Sequence, residues 1–210
     1  MTIEENQIRI LTVDDHPLLR EGIAAVITKE PDMKLVAEAT NGREAIDFFR
    51  SHRPDVTLMD LRLPDIHGID AILAIRNIYP LAKIIVLTTY KGDVQALRAF
   101  KAGASGYLLK SMLRKDMLDT IRQVHAGKRR IPEEIAAEMA EHATDDTLTA
   151  REIEVLRQVA AGNANKIIAD KLVITEDTVK AHMKSILSKL AANDRTHAVM
   201  IAMKRGFLDT

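Results

Sequence analysis

Five side chains are of the types that handle a divalent cation and a phosphoryl group. Asp14 and Asp15 end the apolar run Ile8-Arg9-Ile10-Leu11-Thr12-Val13, and Asp60 ends Val56-Thr57-Leu58-Met59. Thr88 closes Ile84-Ile85-Val86-Leu87, and Lys110 closes Tyr107-Leu108-Leu109. A hard cation such as Mg²⁺ takes oxygen ligands, often one or two carboxylates together with phosphate oxygens. Asp15 and Asp60 are expected as direct ligands, with Asp14 acting through water. A carboxylate can also attack phosphorus and become an aspartyl phosphate. Lys110 would then offer a fixed positive charge, and Thr88 a hydroxyl donor, to the phosphoryl oxygens. Alone, Asp14-Asp15 could equally cap a helix before Pro17, and Lys110 could be a solvated strand end. The combination favours a site.

Such a site needs strands that deliver these residues to one edge of a sheet. Short β-branched and leucine runs predict strands at 8–13, 35–39, 56–59, 83–88 and 106–109. The first, third and fourth are nearly continuous apolar runs, as parallel strands covered on both faces require. Helical spacing lies between them. Leu19, Ile23, Val26 and Ile27 share one face, as do Met117, Ile121 and Val124. Regular strand–helix alternation predicts an α/β fold, a doubly wound five-stranded parallel sheet of the flavodoxin-like kind, with ligands at the carboxyl ends of the strands. This domain is expected over residues 1–127. A helical linker is expected over 128–146, from Lys128-Arg129-Arg130 through an Ala/Glu-rich stretch. A small all-α domain is expected over 147–210.

Composition excludes several classes. The chain has 210 residues, 47% hydrophobic and 29% charged, ordinary values for a globular protein. The segment Met1 to Gln7 is polar and acidic, unlike a secretory signal. No apolar run approaches the roughly 20 residues of a membrane helix. The absence of cysteine excludes disulfides and thiolate metal sites and fits a cytoplasmic location. His16 and His67 flank the acids, but imidazole suits softer metals and an oxygen-rich magnesium site does not need it.

Residues 8–127 resemble the receiver domain of two-component response regulators. The matching motifs are Asp14-Asp15, Met59-Asp60-Leu61-Arg62-Leu63-Pro64-Asp65 with Gly68, Leu87-Thr88, and Tyr107-Leu108-Leu109-Lys110. The resemblance implies that Asp60 accepts a phosphoryl group from a sensor histidine kinase's phosphohistidine. It implies Mg²⁺ on Asp15, Asp60 and the backbone carbonyl of Arg62, beside Asp14. It also implies that Thr88 and Tyr107 form a switch pair. One departure is Ser111, where many receivers carry proline after the lysine.

The C-terminal third has a different signature. Thr149 and Glu152 have capping-box spacing. A short helix from about Asn165 to Leu172, a tight turn at Val173-Ile174-Thr175, and a longer helix from about Glu176 to Leu190 outline a helix-turn-helix. On the longer helix Val179, Met183, Ile186, Leu187 and Leu190 form a core stripe. Lys180, Ala181, Lys184 and Ser188 lie largely opposite, as groups suited to a major groove. Asn165, Lys166, His182 and Lys189 suit phosphates. From Thr147 onward there are 10 bases against 7 acids, a weak electrostatic signal, so placement carries the argument.

This segment resembles the LuxR-type DNA-binding domain in Leu148-Thr149-Ala150-Arg151-Glu152, Asn165-Lys166-Ile167-Ile168-Ala169, Thr178-Val179-Lys180-Ala181-His182 and Asp194-Arg195-Thr196. The expected DNA-binding set is Asn165, Lys166, Thr178, Val179, Lys180, Ala181, His182, Lys184 and Lys189. Ile167 stands where an acid is common. The last helix, about Asp194 to Arg205, would serve DNA-bound dimerisation. The whole chain is similar to NarL/FixJ-family transcriptional regulators. That similarity implies a phosphorylation-dependent regulator that binds promoter DNA, as a homodimer when phosphorylated or DNA-bound, and is not an enzyme. The rival is a magnesium-dependent phosphohydrolase. It would want a general acid two residues after Asp60, where Arg62 cannot deliver a proton. A third reading, signalling without phosphate, leaves the intact acid, threonine and lysine set unexplained.

Overall fold

The computed structural model describes residues 7–89, 91–111, 114–143 and 145–208. In chain order the elements begin β1 (Ile8–Val13), α1 (Pro17–Ile27), β2 (Met33–Ala39), α2 (Gly42–His52), β3 (Val56–Asp60) and α3 (Gly68–Ile78). They continue β4 (Ile84–Thr88), α4 (Asp93–Lys101), β5 (Gly106–Leu109) and α5 (Arg114–His125). Then come α6 (Glu133–Glu141), α7 (Ala150–Ala160), α8 (Asn165–Leu172), α9 (Glu176–Lys189) and α10 (Arg195–Arg205). The expected strands are all present; β2 begins earlier than its apolar run suggests, because Met33 is buried in the core.

The sheet order is β2-β1-β3-β4-β5, with every pairing parallel. The chain moves outward from β1 to β2, then returns across β1 to begin β3. That reversal opens a crevice beyond the carboxyl ends of β1 and β3, where Asp14, Asp15 and Asp60 fall. β3 and β4 are buried at every position, as central parallel strands must be. On one face Ile23 and Ile27 of α1 and Met117, Ile121 and Val124 of α5 share a core with Ile10, Leu58, Ile85 and Leu108. The anticipated helical stripes are therefore the ones that cover the sheet.

Helix starts follow local chemistry. Pro17 occupies the first turn of α1, where its missing N–H costs nothing. Asn41 caps α2 by accepting the Glu44 amide at 2.9 Å. His67 caps α3, its Nδ1 accepting the Ile69 amide at 3.2 Å. After α5 the chain does not go directly into a helix. Residues 128–132 are non-helical, and Arg130 forms a parallel bridge with Gly106 on the β5 edge.

The chain divides into two compact units: Met1–Tyr90 with Ala96–Glu133, and Lys91–Gln95 with Glu134–Thr210. In the second, Val155, Leu156, Ile168, Val179, Ile186, Ala198 and Ala202 centre a core drawn from α7 to α10. The capping box at α7 is present on both sides. Thr149 Oγ1 accepts the Glu152 amide at 3.2 Å, and Glu152 Oε2 accepts the Thr149 amide at 2.7 Å. Among the described residues no helix is long and apolar enough to cross a membrane.

Candidate functional site

β1 and β3 deliver their acids to one place. One ligand atom each from Asp14, Asp15, His16 and Asp60 lie within 4.8 Å of one another. Asp14 and Asp60 are buried at 0% and 2% exposure, while Asp15 is exposed. Two buried carboxylates this close repel, and the cation between them is Lys110. Its Nζ lies 2.7 Å from Asp14 Oδ2 and 2.7 Å from Asp60 Oδ2. The Asp60 contact is a well-directed hydrogen bond. The Asp14 contact is an ion pair by distance only, since Asp14 Oδ2 is buried without a hydrogen-bond partner.

Burial raises the Asp60 carboxyl above the ordinary aspartate range; Lys110 opposes that shift and Asp14 adds to it. Burial alone would lower the Lys110 ammonium, but the adjacent Asp14 and Asp60 carboxylates outweigh this and raise it. Lys110 is the lysine of a buried ion cluster, and the solvated strand-end alternative falls away.

The loop after β3 is shaped by two contacts. The Arg62 amide donates to Asp60 Oδ1 at 3.3 Å, and the Gly68 amide donates to Leu61 O at 2.8 Å. A Cβ on Gly68 would stand 2.1 Å from the Asp60 carbonyl oxygen. Only glycine admits this approach. Asp65 fastens the loop to α2, accepting the amides of Gly42 at 2.8 Å and Arg43 at 3.0 Å.

Thr88 closes β4 and Tyr107 lies within β5, both at 0% exposure. Burial pushes the Tyr107 phenol far above its ordinary range, so it stays neutral. Its ring lies 6.5 Å from that of Phe100, centroid to centroid. Asp60, Arg62, Thr88 and Lys110 share one cavity wall with His16, Leu18 and Leu19.

Some expectations at this site change. Asp14 and Asp15 do not cap α1; His16 is the N-cap and makes no side-chain cap bond. Instead Asp14 Oδ1 accepts the His16 amide at 2.9 Å, and His16 Nδ1 lies 2.8 Å from Asp15 Oδ1. The two histidines that flank the acids in sequence differ in place. His67 is occupied with α3, whereas His16 stands in the acidic cluster.

In the second unit, α8, a turn and α9 take the expected order. Lys180, Ala181, Lys184 and Ser188 are exposed along one side of α9. Lys180 Nζ pairs with Asp177 Oδ1 at 2.9 Å. Thr178 and His182 are half-buried beside that face; Asn165 is half-buried and Lys166 exposed at the start of α8.

Two members of the expected DNA-binding set turn inward. Val179 is 0% exposed in the helical core. Its helical phase puts it with Ile186, so its side chain cannot meet DNA. Lys189 Nζ lies 2.9 Å from Glu152 Oε2 and donates to Thr147 O at 3.2 Å. Its charge is neutralised by a buried acid and is not free for a phosphate.

Glu152 does more than complete the capping box. It also accepts Ser185 Oγ at 2.6 Å, so one carboxylate joins the start of α7 to two positions on α9. Burial would raise this carboxyl, but bonds from Ser185, Thr149 and Lys189 outweigh it and hold it down at about 2. The capping spacing was legible; the partners 33 and 37 residues away carried no local signal.

Known proteins share these features. Residues 10–122 match the family model described as response regulator receiver domain, and residues 146–202 match bacterial regulatory proteins, luxR family. The chain is 38% identical to the uncharacterized transcriptional regulatory protein YxjL of Bacillus subtilis (strain 168), covering 98% of this chain and 100% of that protein. It is 36% identical to the transcriptional regulatory protein LnrK of the same organism, covering 95% and 98%. Among solved structures it is similar to response regulator ChrA of a heme-sensing two-component system. That match has 33% identity, a TM-score of 0.58, and coverage of 97% of this chain and 100% of that one.

Proposed function

The chain belongs to the two-component response regulators that join a receiver domain to a LuxR-type DNA-binding domain, and from that membership we propose that Asp60 is phosphorylated and that its phosphorylation controls how α9 meets promoter DNA. The observation that carries this reading is the buried pair Asp14 and Asp60 with Lys110 between them. The family is one of transcription regulators, not of enzymes.

The donor is a sensor kinase's phosphohistidine. An Asp60 carboxylate oxygen attacks phosphorus, the P–N bond breaks, and its electron pair returns to the imidazole nitrogen. Lys110 moves from the carboxylates to the phosphoryl oxygens, and the Thr88 hydroxyl donates to another of them. Tyr107, buried on the neighbouring strand, follows the change at Thr88. Asp15, Asp60 and the Arg62 carbonyl would hold Mg²⁺, with Asp14 through water. Carboxylate oxygens of Asp14, Asp15 and Asp60 lying within 4.8 Å of one another suit such a cation. When bound, Mg²⁺ supplies positive charge that offsets repulsion between phosphoryl oxygens and these acids.

On the DNA side, Lys180, Ala181 and Lys184 would enter a major groove, with Thr178 and His182 at its margin and Asn165 and Lys166 at phosphates. Two half-sites read by a homodimer follow from the docking geometry of helix-turn-helix modules. Intact-mass measurement after treatment with acetyl phosphate and Mg²⁺ tests the receiver chemistry. A single phosphoryl adduct on the wild type and none on Asp60→Asn is expected. Equal labelling of both proteins would remove Asp60 from the role of acceptor.

A further inference from the structure

β5 pairs with β4 on one side only. Its other edge is met by the chain emerging from α5. The Tyr107 amide donates to Arg130 O at 3.0 Å, and the Arg130 amide donates to Ser105 O at 3.1 Å. Gly127, at φ +84, reverses the chain after α5. The turn is closed by the Gly127 amide on Val124 O and the Lys128 amide on Gln123 O, both at 3.0 Å. Lys83 Nζ on His125 O, at 2.6 Å, secures the same corner. Pro132, buried, keeps Ile131 extended. The Arg130 side chain is exposed, so the pairing belongs to the backbone.

β5 is 4 residues long, and the residue after its end is Lys110. The Lys110 amide donates to Thr88 O at 2.7 Å, while its ammonium holds Asp60. One short strand therefore bears the lysine of the acidic site at one end and the anchor of the outgoing chain near the other. We propose that residues 128–131 are a backbone clip on the β5 edge that phosphorylation of Asp60 opens, releasing the start of the linker. This deepens the reading above and rests on it.

The physical ground is a difference in ladder strength. β5 is joined to β4 along its whole length, whereas the linker holds to it through the Tyr107 amide on Arg130 O and, just before the strand, the Arg130 amide on Ser105 O. A phosphoryl group bonded to an Asp60 oxygen turns the carboxylate that Lys110 now holds into an acyl phosphate, whose negative charge lies on the phosphoryl oxygens. Lys110 must re-aim, and the strand end it belongs to moves with it. The weakest pairing of that strand gives first, and the linker gains freedom that the DNA-binding unit inherits through the covalent chain.

The test is Arg130→Pro, which removes the donor to Ser105 O while leaving every group at the acidic site. Acetyl phosphate should label Asp60 of the variant as it labels the wild type. Promoter affinity of the unlabelled variant should already match that of the wild type loaded with beryllofluoride and Mg²⁺. Its response to loading should fall from the wild type's, of roughly tenfold order for coupled sites, to near none. A variant that keeps the full wild-type response overturns the clip. Amide hydrogen exchange on the wild type decides the matter independently of how the variant folds. Loading should lower protection at Tyr107 and Arg130 together, and unchanged protection at both in loaded protein overturns the proposal. Failure to label wild-type Asp60 would instead sink the phosphorylation reading itself.

Discussion

Glu152 on α7 and Lys189 on α9 form an ion pair, Oε2 to Nζ at 2.9 Å, that ties the entry of the helical domain to the end of its candidate recognition helix. Glu152 is 4% exposed and accepts from Ser185 and the Thr149 amide as well. A buried charge with this many donors is costly to leave alone. The pair fixes how α9 is presented.

Lys189→Ala is therefore expected to lower stability with little effect on the salt dependence of DNA binding. Lys184→Ala should do the reverse. Losing one phosphate contact reduces the slope of log K against log salt by about 0.9, whereas losing a base contact costs roughly 1–3 kcal/mol on the specific site. Thermal melts and binding titrations at several salt concentrations separate the two. A reduced slope for Lys189→Ala would return that residue to the DNA surface.

The same carboxylate sets a pH dependence. Its folded-state pKa is lowered from 4.5 to about 2. A depressed acid contributes stability that is present above its unfolded pKa and lost as pH falls through the folded one. Wild-type stability should decline from about pH 4.5 toward 2, and Glu152→Gln should lack this component while being weaker at neutral pH. Denaturant midpoints against pH for both proteins measure it; parallel curves would show that Glu152 contributes nothing there.

Val173 occupies the turn between α8 and α9 in a left-handed conformation, φ 55 and ψ 52, with 89% exposure. A β-branched residue pays about 1–2 kcal/mol for that geometry and buries nothing in return. Val173→Asn should stabilise the domain by about 1 kcal/mol. An unchanged or lower melting temperature would mean that the turn relaxes around valine.

Gly68→Ala should be far more damaging than its size suggests, because the added carbon meets the carbonyl of Asp60. Both the melting temperature and the rate of Asp60 labelling are expected to fall. Labelling at the wild-type rate would show that the loop after β3 tolerates displacement.

Much of this molecule was legible in its residues. The continuous apolar runs of β1, β3 and β4 marked strands buried on both faces, and the residue ending each run is the one the crevice receives. Helical spacing foretold the stripes of α1 and α5. Val179 shows where motif reading overreached: membership of a DNA-contacting motif outweighed a helical phase that already assigned it to the core. Lys189 and Arg130 show what was illegible. Their roles depend on Glu152 in one case and on the Tyr107 and Ser105 backbone in the other, pairings between distant segments that leave no periodicity.

The most direct test of the central claim is promoter affinity measured for wild type and Asp60→Asn, each with and without acetyl phosphate and Mg²⁺. The wild type should change its affinity on treatment, and Asp60→Asn should hold one value in both conditions. An identical shift in both proteins, or none in a fully labelled wild type, would contradict control of DNA binding by a phosphoryl group on Asp60.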